Sequence, residues 1–276
     1  MDLINTQILL NLDYPDIINA CHALLAFSKV CKTPYFWELK AEADFSIPSN
    51  ELLFVPGNSN QERYEFIYNI KNPNEGLIEA AKLGILSLVK YFLKQGADLH
   101  VYNEFILKLA AMNGHLNVVK YLVEQGANFH ANDEDALIST AVYGYLDVVK
   151  YLVEQGADLH AKDELALGLA GSNGHLNVVK YLVEQGADLH TWDELALRWA
   201  ARYGHLDVVR YLVGLGADLH AKDEDALRSA AEYGHFDVVK YLIEQGADPQ
   251  VILNNPYSYK PEIVKYVRNL LSLEEI

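Results

Sequence analysis

Two rows of histidine recur at a spacing of thirty residues, His100, His130, His160, His190 and His220 in one and His115, His175, His205 and His235 in the other. Beside the first row runs an acidic one, formed by Asp133-Glu134, Asp163-Glu164, Asp193-Glu194 and Asp223-Glu224. Imidazole is a zinc ligand, so the histidine rows invite a metal reading. The spacing excludes it. Stacked helices stand about 8–10 Å apart, whereas zinc needs its nitrogens about 2.0–2.1 Å from one centre. The histidines are therefore expected to hydrogen-bond turn backbone at one point of each unit. The acids are expected to cap helix N-termini, with attraction of a basic partner as their second use. No metal and no cofactor is expected.

Other chemistry is equally thin. Cys21 and His22 adjoin, but neighbouring helix residues do not face each other, so Cys21 reads as a core residue. No Gly-rich phosphate loop and no Ser-His-Asp set occurs outside repeated positions. The chain is expected not to be an enzyme, since catalysis would need a pocket that the pattern lacks.

Charge narrows the partners. The net charge is −16, with residues 1–70 carrying 4 Lys/Arg against 9 Asp/Glu and residues 71–250 carrying 15 against 26. Such an array repels phosphate backbones, so no nucleic acid is expected. No run approaches the roughly 18 apolar residues of a membrane span, and no basic n-region precedes the apolar Ile8-Leu9-Leu10 cluster, so no signal peptide is expected. Two cysteines, Cys21 and Cys31, make no disulfide framework and suit a reducing compartment. An intracellular protein is expected.

The elements that carry these rows are repeats. Tyr121-Leu-Val-Glu-Gln-Gly-Ala returns at Tyr151, Tyr181, Tyr211 and Tyr241, with a looser copy at Tyr91. A fixed period means a stack of one supersecondary unit. In the unit 221–250, Ala226, Leu227, Ala230 and Ala231 share one helical face, and Phe236, Val238, Val239, Leu242 and Ile243 share a second. Gly234 separates the helices and Gly246 ends the second. Each unit thus reads as helix, turn, helix and a short extended link. Neither helix is stable alone at this length, and stacking buries the apolar faces. Gly171 replaces one of the packing alanines and should weaken its unit, while Trp199 is expected in the core beside Ser229.

The stretches Ala110 to His115, Ala200 to His205 and Ala230 to His235, followed by "LDVVKYL" and "GADL" patterns, resemble the ankyrin repeat. The resemblance covers residues 71–250 in six units of thirty residues. It implies an all-α solenoid of stacked helix–turn–helix units and a protein-binding role. Three residues fewer than the family's 33 precede each first helix, so the projecting hairpin should be blunted. Residues 251–276 read as a C-terminal capping helix.

Positions that vary between units mark the candidate surface. The second column gives Trp192, the eighth Arg198, and the twelfth and thirteenth Tyr143, Arg202-Tyr203 and Glu232-Tyr233. Aromatics with arginine have the composition of binding hot spots. The plain alternative is ordinary exposed residues.

Residues 1–45 carry no repeat and predict a small helical bundle around Ile18, Cys21, Phe27 and Trp37. Leu12, Asp13, Asp16-Ile17, Val30-Cys31 and Trp37 resemble an F-box. That resemblance implies docking on the linker protein of a cullin-type ubiquitin ligase through Leu12, Pro15 and Ile18. Residues 46–70 read as a linker and N-terminal cap around Tyr64, Phe66 and Ile67. An F-box-like segment joined to near-identical thirty-residue ankyrins is similar to proteins that giant DNA viruses of amoebae encode. It implies a host protein target and action in host cytoplasm. A plain scaffold without a ubiquitin role is the alternative.

Overall fold

The computed structural model describes residues 3–23 and 25–274, and among them every regular element is helical. The chain divides into two compact units, residues 1–110 with 115–127 and residues 111–114 with 128–276. None of the described helices is long and apolar enough to cross a membrane.

The first unit begins with α1 (Leu3–Leu10), α2 (Tyr14–Ala23), α3 (Leu25–Cys31) and α4 (Pro34–Phe45). Pro34 opens α4, where its missing N–H costs nothing. Trp37 is buried and donates its indole N–H to the Cys31 carbonyl at 2.8 Å. Lys40 is also buried, and its ammonium donates to Asp44 at 2.8 Å and the Leu10 carbonyl at 3.0 Å. The second Asp44 oxygen accepts from the Tyr64 hydroxyl at 2.5 Å. A buried charge is tolerated where a counter-charge and a carbonyl acceptor are supplied in this way. Residues 46–70 hold α5 (Ser49–Leu52) and α6 (Asn60–Asn69), whose Tyr64 and Ile67 pack into the same core while Phe66 is half-buried.

Two expectations for this bundle need correction. Ile17, not Ile18, fills the core, because Ile18 turns half outward one residue further round α2. Cys21 and Cys31 are not independent thiols: their Cα atoms lie 6.2 Å apart and the two sulfurs are joined. The packing of α2 on α3 brings them together, a proximity that a ten-residue separation does not reveal. Phe27 lies outside the residues whose side chains are described.

The first unit continues with α7 (Pro73–Leu83), α8 (Leu86–Lys94), α9 (Val101–Met112, which runs past the end of this unit) and α10 (Leu116–Glu124). Phe45 meets Tyr91 edge-on at 5.4 Å, and Glu51 accepts from the Ser87 amide and hydroxyl at the start of α8.

The second unit is the regular part. Its pairs are α11 (Ala131–Tyr143) with α12 (Leu146–Glu154), α13 (Leu165–Ser172) with α14 (Leu176–Glu184), α15 (Thr191–Arg202) with α16 (Leu206–Gly214), and α17 (Ala221–Tyr233) with α18 (Phe236–Glu244). First helices pack on first helices and second on second. The alanine face does this: Ala200, Ala201, Ala230 and Ala231 are wholly buried. Gly171 belongs to the same surface, and a Cβ there would sit 3.0 Å from the Ala196 carbonyl oxygen of the next first helix. Its lack of a side chain suits that close approach. The unit ends in α19 (Gln250–Leu253), a 3-10 turn at Pro256–Ser258 and α20 (Pro261–Glu274).

The link between repeats differs from the extended segment expected. Three consecutive residues take left-handed backbone in each, as at Lys162, Asp163 and Glu164 with φ of 51°, 55° and 63°. Asp or Asn occupies the middle place, the types that tolerate this region best. This tight left-handed run stands where a projecting hairpin would otherwise be.

Candidate interaction surface

Left-handed backbone costs a non-glycine residue about 1–2 kcal/mol, so something must hold it three times per repeat. The holder is the glutamate that closes each run. Glu104, Glu134, Glu164, Glu194 and Glu224 are all buried. Each accepts a hydrogen bond from Nδ1 of the histidine four residues earlier, at 2.5 Å for His100–Glu104 and His190–Glu194. The glutamates thus serve as partners of imidazoles where caps were expected, and Glu164, which stands at the N-cap of α13, makes no side-chain cap bond. The first histidine row is a partner of carboxylates, not of turn backbone.

The second row does bind turn backbone. His115, His175, His205 and His235 place Nε2 within 2.9–3.0 Å of the carbonyls of Lys82, Val142, Ser172 and Arg202. Tyr145 takes the histidine's place in its repeat.

The paired imidazoles carry a pH dependence. His100, His160, His190 and His220 are held above the ordinary histidine value, first by the hydrogen bond to their glutamates. Burial pulls slightly the other way, and Asp98, Asp158, Asp188, Asp218 and Asp248 add attraction. A raised folded-state value stabilises the protein below the unfolded value of about 6.5 and ceases to do so as pH rises through the folded value. The melting temperature is therefore expected to fall over the pH window that opens at the unfolded value of about 6.5 and extends above it. A melting curve that stays level or climbs across that window refutes the assignment.

The candidate binding residues fall into two groups at opposite ends of the first helices. Seven residues separate Leu195 from Arg202, a rise of about 10 Å. At the turn end, Tyr143, Arg202, Tyr203, Glu232 and Tyr233 are all exposed. Arg202 lies over the Tyr233 ring at 4.8 Å and donates to its hydroxyl at 2.5 Å, so the pair is already ordered. Tyr143 stacks on Tyr145 with centroids 6.4 Å apart. At the link end, Trp192 is 58% exposed on the left-handed run.

Arg198 stands apart from both. Its side chain is 15% exposed, paired to Asp225 at 2.6 Å, and donates to the carbonyls of Trp192 at 3.1 Å and Asp193 at 3.4 Å. It braces the run that presents Trp192. Arg228 donates likewise to the Lys222 carbonyl at 3.2 Å. Trp199 is half-buried and not fully in the core; a Cβ on Gly168 of the preceding repeat would meet the indole at 3.7 Å, an ordinary contact.

A further row was not anticipated. Lys150 and Lys180 sit over the rings of Tyr181 and Tyr211 at 5.8 and 5.6 Å, and Arg210 over Tyr241 at 4.6 Å. Lys90 does the same to Tyr121 in the first unit, at 5.1 Å. The adjacent Lys-Tyr in each repeat was the available signal, since one period brings each cation to the next ring. In the first unit, Pro15 is exposed while Leu12 and Ile18 are half-buried. Among the described residues no group of three or more His, Cys, Asp or Glu is arranged to hold a metal ion.

The pattern described as ankyrin repeats (3 copies) matches residues 77–163 and again residues 167–252. The chain therefore belongs to the ankyrin repeat family. Members of that family are generally non-enzymatic domains that bind other proteins, and the chain is a protein–protein interaction module. Comparison with curated proteins gives no match.

Proposed function

We propose that the chain is a non-enzymatic adaptor that recruits a host protein target to a cullin-type ubiquitin ligase. The observation that carries the target-binding half is the ordered Arg202–Tyr233 pair beside exposed Tyr203, with Tyr143 and Glu232 at the same end of their helices. An arginine and a tyrosine already fixed in place lose little conformational entropy on binding. Trp192 adds a second exposed anchor, braced from behind by Arg198.

The ligase half rests on the F-box-like residues of the N-terminal helices, with Pro15 and the half-buried Leu12 and Ile18 as the contact to the linker protein. The same resemblance to amoebal-virus proteins supports action in host cytoplasm. One observation favours the plain scaffold instead. The Phe45–Tyr91 and Glu51–Ser87 contacts make α4 and α5 a cover for the first repeat.

One experiment separates the readings. The full chain is incubated with purified linker protein, and in parallel with host lysate beside Trp192→Ala and Arg202→Ala. The adaptor reading expects linker protein to be retained, and retention to be lost on Pro15→Asp. It also expects each surface variant to bind the captured target at least about tenfold more weakly, the loss of a hot-spot residue. Target capture without linker retention at micromolar concentration leaves the scaffold. Capture unaffected by either variant refutes the surface.

A further inference from the structure

At the C-terminal end of the second unit a cleft of about 390 Å³ opens between the 3-10 turn and α20. Tyr259, Pro261 and Val264 give it an apolar floor, Tyr257 stands at its rim, and Lys265 and Arg268 stand along one side. The two cations lie three residues apart on α20 and so share a helical face. Among the described residues lining the cleft none is acidic, in a chain whose net charge is −16. Glu262, the nearest acid on α20, forms no part of the wall. Burial holds the Tyr259 phenol above its ordinary value, with Arg228 pulling the other way and the charge of Glu232 adding to the rise.

The walls are fixed in place. Ile263 and Val267 are wholly buried on another face of α20, and Tyr266 meets Phe236 edge-on at 5.1 Å. Asn255 donates to the Ser258 hydroxyl at 2.7 Å across the 3-10 turn. Tyr257 is nonetheless 98% exposed. A tyrosine held on an ordered turn, next to an arginine, has the composition of a binding anchor without its cover.

We propose that this cleft docks an acidic peptide segment of a protein partner, with carboxylates on Lys265 and Arg268 and an apolar side chain on Tyr257 and Val264. Charge complementarity selects the occupant: the cleft gathers cations on a protein that otherwise repels acidic chains. Two cations are too few to hold a nucleic acid against the charge of the rest.

The test pans a random peptide library on the immobilised full chain, then measures selected peptides by fluorescence anisotropy. An acidic class containing aromatic or aliphatic residues is expected. It should bind the double variant Lys265→Glu with Arg268→Glu at least about tenfold more weakly, and should weaken with salt. Tyr257→Ala should lower its affinity severalfold. All three positions are exposed, so melting temperatures should match that of the unaltered chain. The proposal is overturned if no acidic class is enriched, if that class binds the double variant unchanged, or if a single-stranded oligonucleotide displaces it.

Discussion

Gly76→Ala is expected to destabilise the chain by about 1–3 kcal/mol, and a second change, Phe92→Leu, to return most of the loss. Gly76 is buried inside α7, and a Cβ there would lie 2.3–2.5 Å from three atoms of the Phe92 ring. The ring is 4% exposed, so it has nowhere to withdraw. Alanine's better helix propensity pulls the other way by about 1 kcal/mol. The overlap wins because it needs a displacement of more than an ångström in a packed core. Later repeats show the alternative solution: Ala136, Ala166, Ala196 and Ala226 occupy the Gly76 column, and Leu152, Leu182, Leu212 and Leu242 the Phe92 column. The first repeat has moved volume from one side of the contact to the other. Urea unfolding of both single variants and the double variant measures the coupling, expected at about 0.5–3 kcal/mol. Losses that simply add would refute it.

Gly204→Ala should cost about 2–3 kcal/mol, and Gly234→Ala roughly 1–2 kcal/mol, although the two backbones are nearly the same. Their φ values are 79° and 84°, so the left-handed strain is shared. The neighbours differ. A Cβ on Gly204 would lie 2.4 Å from Nδ1 of His235, whereas one on Gly234 would meet the flexible stem of Lys260 at 3.1 Å. Lysine can move aside. The imidazole cannot without surrendering its 2.9 Å hydrogen bond to the Arg202 carbonyl. That loss adds about 0.5–1.5 kcal/mol to the strain. It should also weaken target binding, because Arg202 holds Tyr233. Thermal unfolding of the pair checks the difference, and equal losses would remove the histidine from the account.

Much of this architecture is readable from the chain because its signals are local. The two apolar faces of each unit, the turn glycines and the thirty-residue return need only near neighbours in sequence, and they lead to stacked helix pairs. The exposed places of Trp192, Tyr203 and Tyr233 follow from the same columns. The misread parts depend on conformation or on distant partners. Lys-Asp-Glu before a helix looks like a cap, and nothing in those letters announces three left-handed residues closed by a buried glutamate. Arg198 looks like a surface arginine until Asp225, twenty-seven residues on, is brought beside it. Trp199 lies within contact distance of Gly168, thirty-one residues earlier, and stays half-buried. The Cys21–Cys31 pairing depends on how two short helices cross.

The second histidine row has a bearing on how such a chain changes length. Each of these imidazoles reaches back thirty-three residues to a main-chain oxygen, an acceptor that every amino acid carries. Excision of residues 161–190 would bring His205 opposite the Val142 carbonyl, over Gly144, in the place His175 now holds. The seam would join like to like. Gene duplication or loss of one whole period can therefore lengthen or shorten the array without inventing a new joint, leaving selection to act on the variable columns alone.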